Sequence, residues 1–210
     1  EVSEAVFQAV TSRPLPALGD MIDALGPAVS GGHLKLVSFD SEAEELFVRT
    51  GLAGAWSTSP GADWLSLIST NMLPNKIDYF LHRTMQVTTE IDHETGELES
   101  TVTVTLRNDA PPEGLPGYLI ANAQGLPYGT NKDALALYTP HALDSVVVDG
   151  QEAPVQRQEG LGGHIYTVPV LVGPESAATV EFRLSGTAPA GRFYELDLLH
   201  QPLVNMDQVS

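Results

Sequence analysis

The sequence predicts an α+β, mainly β protein, in which a small helical region precedes an antiparallel β-sandwich of seven or more strands. Over roughly the first sixty residues, apolar side chains recur every three or four positions, which is the spacing of amphipathic helices. From Trp64 onward, apolar and polar residues alternate, and turns that carry Gly or Pro separate the alternating runs. We therefore expect a helical region with one short strand at residues 1–64 and a sandwich domain at residues 65–210.

The first region is expected to contain three helices and one strand. Two apolar stripes with helical spacing end at Pro14 and at Gly26–Pro27, because proline restricts the residue before it and lacks a backbone donor. Alternating apolar residues predict a strand at Leu34–Phe39. Ser41–Glu44 has the residue types and spacing of a capping box, which predicts a helix that begins there and ends at Gly51.

The second region shows strand-like alternation interrupted by turn residues. Met85–Ile91 and Leu98–Leu106 alternate apolar and polar side chains on either side of Asp92–Gly96, which predicts a β-hairpin that covers a core. Short apolar runs predict further strands at Tyr118–Asn122, Ala134–Tyr138, Ser145–Val148, Ile165–Val172, Thr179–Leu184 and Phe193–Leu199. No helix is expected between these runs, which favours an antiparallel sandwich over a parallel α/β fold.

Charge and cysteine content exclude several classes of function. The chain has 27 Asp and Glu residues against 10 Lys and Arg, a formal net charge of −17. Nucleic acids and anionic membranes require clustered positive charge, so neither is expected as a main partner. Because the chain has no cysteine, disulfides, thiolate metal ligands and cysteine nucleophiles are excluded. No apolar run reaches the roughly 20 residues that span a bilayer, so we expect no membrane insertion by this chain.

The stretch from Asn71 to Tyr79 contains the best candidate binding site. The amides of Asn71 and Asn75, the ammonium group of Lys76 and the carboxylate of Asp78 lie close in sequence to the aromatic ring of Tyr79. These groups commonly hold hydroxyl-rich ligands, so the stretch could bind a sugar or orient a phosphate. The favoured interpretation is a connection between strands, because asparagine is a preferred turn residue on conformational grounds alone. In that case the charged side chains pair locally or hold the helical region against the sheet.

Other chemistries lack their residue patterns in this sequence. The six histidines are far apart and none has a metal-ligand spacing. The acidic turn at Asp92–Glu97 lacks the register of an EF-hand loop, so weak surface binding of calcium is the most it would support. There is no Gly-x-Ser-x-Gly or Ser-x-x-Lys pattern and no nucleotide-binding glycine loop. We therefore expect no catalytic residues, no metal site and no cofactor.

Several phrases of the sequence occur in the order found in one protein family. They are Gly32–Ser38, Gly51–Gly54, Asn71 followed by Asn75–Phe80, Leu106–Asn108, Leu137–Pro140, Val148–Gly150 and Gln201–Pro202. On these phrases, the stretch from Gly31 to Pro202 resembles the C-terminal part of domain-of-unknown-function family 4012, a family of uncharacterised actinobacterial envelope proteins. The resemblance implies a membrane-anchored parent protein, a location on the extracellular side of the membrane, and an upstream segment rich in Arg and Gly that this chain lacks.

Two functions from different classes remain as alternatives. The favoured one is a non-catalytic extracellular module with a structural role, or one that binds a cell-wall glycan or an envelope protein. The other is part of an envelope enzyme that processes polysaccharide or lipid-linked glycan, with its main site in the missing upstream segment. Convergence of Lys76 and Asp78 with Arg83 or Arg107 in one pocket would favour the enzyme, because clustered arginines hold phosphoryl groups. Since the sequence starts at Glu1 within a helical pattern, we also expect a chain truncated at both ends.

Overall fold

The computed structural model describes residues 2–12, 18–54, 58–189 and 193–210. It is mainly β with few helices, which confirms the predicted α+β, mainly β class. The chain divides into two compact units, residues 1–55 and residues 56–210. All five candidate binding residues belong to the second unit.

The first unit contains three helices, α1 (Val2–Ser12), α2 (Leu18–Ser30) and α3 (Ser41–Arg49). The helix α2 continues through Pro27, so the expectation that it stops at Gly26–Pro27 is wrong. A proline removes only its own backbone donor from the hydrogen-bond ladder, and this helix ends within one turn of it. The break predicted at Pro14 lies outside the described residues.

Two further details of the first unit differ from expectation. Leu34–Phe39 contributes an isolated bridge where a regular strand was predicted. The N-cap of α3 is Asp40, one residue before the predicted capping box, and its carboxylate accepts a hydrogen bond from the backbone of Ala43 at 3.0 Å. Oε2 of Glu44 accepts a hydrogen bond from the backbone N–H of Ser38 at 2.7 Å. The carboxylates of Asp40 and Glu44, in place of the predicted pair Ser41 and Glu44, therefore accept the hydrogen bonds at the start of α3. A carboxylate at this position also interacts favourably with the helix dipole.

Within the described residues, the second unit contains eleven strands in two sheets. In spatial order, the first sheet consists of β10 (Leu196–Leu199), β1 (Asp63–Asn71), β4 (Asn131–Thr139), β8 (Gly163–Val172) and β7 (Gln156–Gly160). The second consists of β11 (Gln208–Val209), β2 (Leu81–Ile91), β3 (Glu97–Asn108), β9 (Ser176–Thr187), β5 (Ala142–Val148) and β6 (Gln151–Glu152). A short 3₁₀-helix (Ile77–Phe80) and the short helix α4 (Gly117–Ile120) complete the unit. In the described part of the chain, no helix is both long enough and apolar enough to cross a membrane.

Both sheets are mixed, which corrects the prediction of a purely antiparallel arrangement. The strand β10 pairs parallel to β1, and β11 pairs parallel to β2, whereas the other pairings are antiparallel. Both parallel strands are short, come from the C-terminal segment and lie at the edges of their sheets. Alternation of side chains reports which face of a strand is buried and carries no information about the direction of its neighbour.

Most of the predicted strands are present, but some local predictions failed. The hairpin of β2 and β3 pairs Ile91 with Leu98 across the predicted turn. Tyr118–Asn122 is not a strand, because α4 occupies this stretch, and a short apolar run does not distinguish helix from strand. The strand at Gln156–Gly160 was missed because it has no apolar face and pairs through its backbone at a sheet edge. The strand that begins at Asp63 runs across the boundary expected between residues 64 and 65.

One hydrophobic core joins the inner faces of the two sheets. Its fully buried members include Leu135 and Val168 of the first sheet and Val102, Val180 and Phe182 of the second. Burying a side chain of this size contributes roughly 1.5–3 kcal/mol to folding, so the shared core explains why the two sheets form one unit. A smaller cluster beneath the 3₁₀-helix and α4 holds these short elements in place; it consists of Ile77, Ala110 and Ile120.

Candidate functional site

The five residues singled out in the sequence surround one open cleft at the end of β1. The cleft has a volume of about 760 Å³ and is lined by Asn71, Leu73, Pro74, Asn75, Lys76, Asp78, Tyr79, Tyr118 and Val204. Ligand-binding clefts commonly have volumes of about 300–1,000 Å³, so this one could accommodate a small organic molecule or a short segment of a glycan. The lining side chains differ, however, in whether their polar groups are free to contact a ligand, and this determines what the cleft can bind.

The two asparagine side chains build the loop that forms the wall of the cleft. The Oδ1 atom of Asn71 accepts from the backbone N–H of Leu73 at 2.8 Å, and its Nδ2 donates to Oδ1 of Asn75 at 3.0 Å. The Nδ2 of Asn75 donates to the backbone carbonyl of Ala121 at 3.0 Å, and its Oδ1 also accepts from the N–H of Ile77 at 3.3 Å. These bonds are the local role that asparagine favours in turns, and they use most of the capacity of both amides.

Lys76 and Asp78 carry the charge at the surface of the cleft. Both residues are exposed, and Oδ1 of Asp78 accepts a hydrogen bond from Nδ2 of the buried Asn131 at 2.9 Å. Partial burial of the carboxyl group raises the pKa of Asp78, and hydrogen bonds from Asn131 and Asn71 and the charge of Lys76 offset part of this effect. The cleft therefore presents a cation and a carboxylate that are accessible to a ligand.

Two tyrosine rings provide the apolar surface of the cleft. Tyr79 is 63% exposed, and its ring meets the ring of Phe80 edge-on, with centroids 5.2 Å apart. Tyr118, on the short helix α4, is 68% exposed. The cluster of Ile77, Ala110 and Ile120 anchors the two elements that carry these tyrosines. The two rings are therefore exposed on a surface that buried side chains hold in place. Exposed aromatic faces beside polar groups are common in binding sites.

The arginines named as tests of the enzyme alternative do not converge on this cleft. Arg83 is 2% exposed and holds Asp207 through two short bonds, from Nε to Oδ1 at 2.7 Å and from Nη2 to Oδ2 at 2.6 Å. Its remaining donors contact Ser69 and two further acceptors within the protein. Arg107 pairs with Asp109 at 2.7 Å on another part of the surface. Neither arginine is therefore placed to hold a phosphoryl group at this cleft, and no arginine is among the described residues that line it.

A second polar cluster, which the sequence did not suggest, lies where β1 begins. Oδ2 of the buried Asp63 contacts Nε2 of His141 and accepts a hydrogen bond from the hydroxyl of Tyr194 at 2.9 Å. Burial raises the pKa of Asp63, but the hydrogen bonds and charge interaction with His141 and Tyr194 outweigh burial and lower the pKa overall. Burial and the contact with Asp63 raise the pKa of Tyr194. Position 186 accommodates only glycine, because a Cβ atom at this position would collide with Nδ1 of His141.

Comparison with known proteins shows no family for this chain. Neither a family model nor a curated protein matches it. Parts of it resemble native leukotriene A4 hydrolase from Saccharomyces cerevisiae, with 16% identity over 51% of this chain and 15% of that chain and a TM-score of 0.33. A candidate nutrient-binding protein from Legionella pneumophila gives 10% identity over 60% of this chain and 43% of that chain, with a TM-score of 0.36.

An M1 zinc metallopeptidase from Deinococcus radiodurans gives 12% identity over 60% of this chain and 20% of that chain, with a TM-score of 0.27. The chain thus spans less than half the length of each of these proteins. Because all three TM-scores are below 0.5, the similarities carry no argument about function. The resemblance to domain-of-unknown-function family 4012 stays a prediction.

Proposed function

We propose that this chain is a non-catalytic, extracytoplasmic binding module whose cleft holds a glycan. The observation that carries the proposal is the pair of exposed tyrosine rings, Tyr79 and Tyr118, beside the accessible charges of Lys76 and Asp78. Sugar rings combine an apolar face with a rim of hydroxyl groups, so an aromatic surface next to hydrogen-bonding groups is complementary to them.

The structure supports a division of roles among the candidate residues. Lys76 and Asp78 would bond the hydroxyl groups of the glycan, and Tyr79 would pack against a sugar face. Asn71 and Asn75 would shape the loop, since their amides already bond within the protein. Two sheets around one core are also compatible with a sandwich-type module of a cell-surface protein. The extracytoplasmic location rests on the family resemblance.

The enzyme alternative has weaker support at this cleft. Arg83 is buried against Asp207, and Arg107 pairs with Asp109 at a separate surface, so neither is available to hold a phosphoryl group in the cleft. Lys76 is the single cation among the residues that line the cleft. A binding role requires no more than the exposed groups that the cleft contains.

Glycan binding is tested by presenting the chain to an array of envelope glycans and measuring the affinity of any ligand found. We expect Tyr79→Ala, Tyr118→Ala and Lys76→Ala to weaken binding by about tenfold each, which corresponds to the loss of one ring or charge contact. Tyr128→Ala is the matched control, because Tyr128 is 54% exposed and is not among the residues that line the cleft.

Two results would contradict the proposal. Equal loss of affinity in Tyr128→Ala would show that the cleft is not the binding surface. Absence of binding to every glycan on the array would exclude the glycan hypothesis. Cell fractionation tests the extracytoplasmic location separately, and recovery in the cytosol would contradict that location.

A further inference from the structure

The segment Gln201–Ser210, here called the wall segment, contributes an apolar side chain to the cleft. Among the described residues that line the cleft, Val204 is the member from this part of the chain, far in sequence from the other lining residues. Its side chain is 68% exposed and shares the cleft with the rings of Tyr79 and Tyr118. The surface open to a ligand is therefore completed by a segment that the sequence did not single out.

Side chains on both sides of Val204 hold the wall segment in place. Before it, Oε1 of Gln201 accepts from the backbone N–H of Ser69 at 2.8 Å, and Nε2 donates to the carbonyl of Ser69 at 2.9 Å. After it, the carboxylate of Asp207 accepts two bonds from the buried guanidinium group of Arg83. The segment then joins the second sheet as β11. These contacts fix the position of Val204 in the cleft.

Asn205 bonds the backbone that carries the Tyr79 ring. Its Nδ2 donates to the carbonyl of Tyr79 at 3.0 Å and to the carbonyl of Leu81 at 2.9 Å. Only an amide nitrogen suits this place, because both partners are acceptors. The carbonyl of Phe80 between them accepts from the backbone N–H of Asp109 at 3.0 Å. Three successive carbonyls are thus bonded, and the backbone beneath the exposed ring cannot rotate without breaking one of these bonds.

We propose that the wall segment is part of the glycan site, in which Val204 limits the size of the ligand and Asn205 is a positioning residue for Tyr79. This inference rests on the proposed glycan binding. Asn205 is not among the described residues that line the cleft, so its effect on affinity passes through the Tyr79 ring. A ring that is already held in place loses less conformational entropy when a sugar packs against it, which strengthens binding.

The role of Val204 is tested with the oligosaccharide that the wild type binds most tightly on the glycan array, titrated in a calorimeter. We expect Val204→Trp to weaken binding by at least about tenfold, because the larger side chain occupies space in the cleft. Met206→Trp is the matched control and should bind like the wild type. Met206 is 58% exposed on the same segment and is not among the residues that line the cleft.

The role of Asn205 is tested by a double-mutant cycle with Tyr79, using the same oligosaccharide. We expect Asn205→Ala to weaken binding by about tenfold in the wild type and to cause no further loss in Tyr79→Ala, because it acts through that ring. Without any ligand, Asn205→Ala should also speed hydrogen exchange at the backbone amides of Tyr79 and Leu81. A general loss of stability would instead weaken binding equally in both backgrounds.

Several outcomes would overturn the proposal. Unchanged affinity in Val204→Trp or in Asn205→Ala would do so, as would equal losses in Val204→Trp and Met206→Trp. If the wild type binds an oligosaccharide and these variants bind equally well, the inference fails and the proposed function stands. If the wild type binds none, both fail. Because Val204 is exposed, Val204→Trp decides whether the wall segment belongs to the site even if Asn205→Ala does not fold.

Discussion

At the scale of single residues, Asp63 shows how a buried carboxylate can be stabilised without any sequence signature. Its Oδ1 accepts from the backbone N–H of Trp64 at 2.8 Å, and its Oδ2 meets His141 and Tyr194. Hydrogen bonds to a charged group contribute about 1.5–3 kcal/mol each, more than bonds between neutral groups. The ionised form of Asp63 is therefore part of the folded structure.

The free energy of unfolding should accordingly decrease at acidic pH, because Asp63 becomes protonated there. The pKa of Asp63 is lower in the folded state than its ordinary value of 3.8. Its contribution is thus fully present above about pH 4 and is lost as the pH falls from there towards the folded pKa. We expect Asp63→Asn to be less stable than the wild type at pH 7, and the difference in the free energy of unfolding to shrink below about pH 4. Urea unfolding of both proteins from pH 7 to pH 2 measures this difference. A difference that does not change with pH would show that the ionised form of Asp63 does not stabilise the fold.

The candidate site could be predicted at this scale only in part. Asn71, Asn75, Lys76, Asp78 and Tyr79 are close in sequence, so their presence at one cleft followed from their proximity along the chain. Which of them faces solvent did not follow, because exposure depends on neighbours that are distant in sequence. The aromatic partner on α4, Tyr118, was missed for the same reason.

At the scale of elements, Arg83 links three parts of the second unit. It lies on β2 in the second sheet, and its guanidinium group bonds the backbone carbonyl of Leu67 and the hydroxyl of Ser69 on β1 in the first sheet. It also holds Asp207 in the segment before β11. Gln201 extends the edge of the first sheet, since its side-chain amide accepts from and donates to the backbone of Ser69. Side chains thus connect elements where backbone pairing ends.

The salt bridges of Arg83 and Arg107 provide a matched comparison of burial. We expect Arg83→Met to cost about 3–5 kcal/mol, because it leaves the buried carboxylate of Asp207 without its partner. Arg107→Met should cost less than about 1 kcal/mol, since the Arg107 side chain is 57% exposed and its bond to Asp109 competes with water. Chemical unfolding of both variants measures the difference. Similar costs would show that Arg83 is not the link between the elements.

At the scale of the whole molecule, the two compact units differ in how much apolar surface they bury. The second unit has a continuous core shared by both sheets, whereas Ala53, at 6% exposed, is the only buried apolar residue among those residues of the first unit whose side chains are described. The second unit therefore has the burial that independent folding requires.

The second unit should consequently fold on its own. We expect a fragment of residues 56–210 to unfold cooperatively in urea, with a midpoint close to that of the same transition in the full chain. A shorter fragment of residues 72–210 is the control and should not fold, because it lacks Leu65 and Leu67 of β1, which are buried in the core. Circular dichroism reports the transitions of both fragments and of the full chain, and tryptophan fluorescence adds a second probe for the full chain and the longer fragment, which contain Trp56 and Trp64. Absence of a cooperative transition in the longer fragment would show that the first unit is required.

The sequence by itself determined the mainly β class, the helical first region, the central hairpin and most strands, together with the loop that lines the cleft. These features follow from local alternation and turn residues, which report burial over a few positions. Only the tertiary structure decided the parallel edge strands, the contact of Asp63 with His141 and the burial of Arg83. Each of these depends on partners distant along the chain, whose approach leaves no periodic signal in a single sequence.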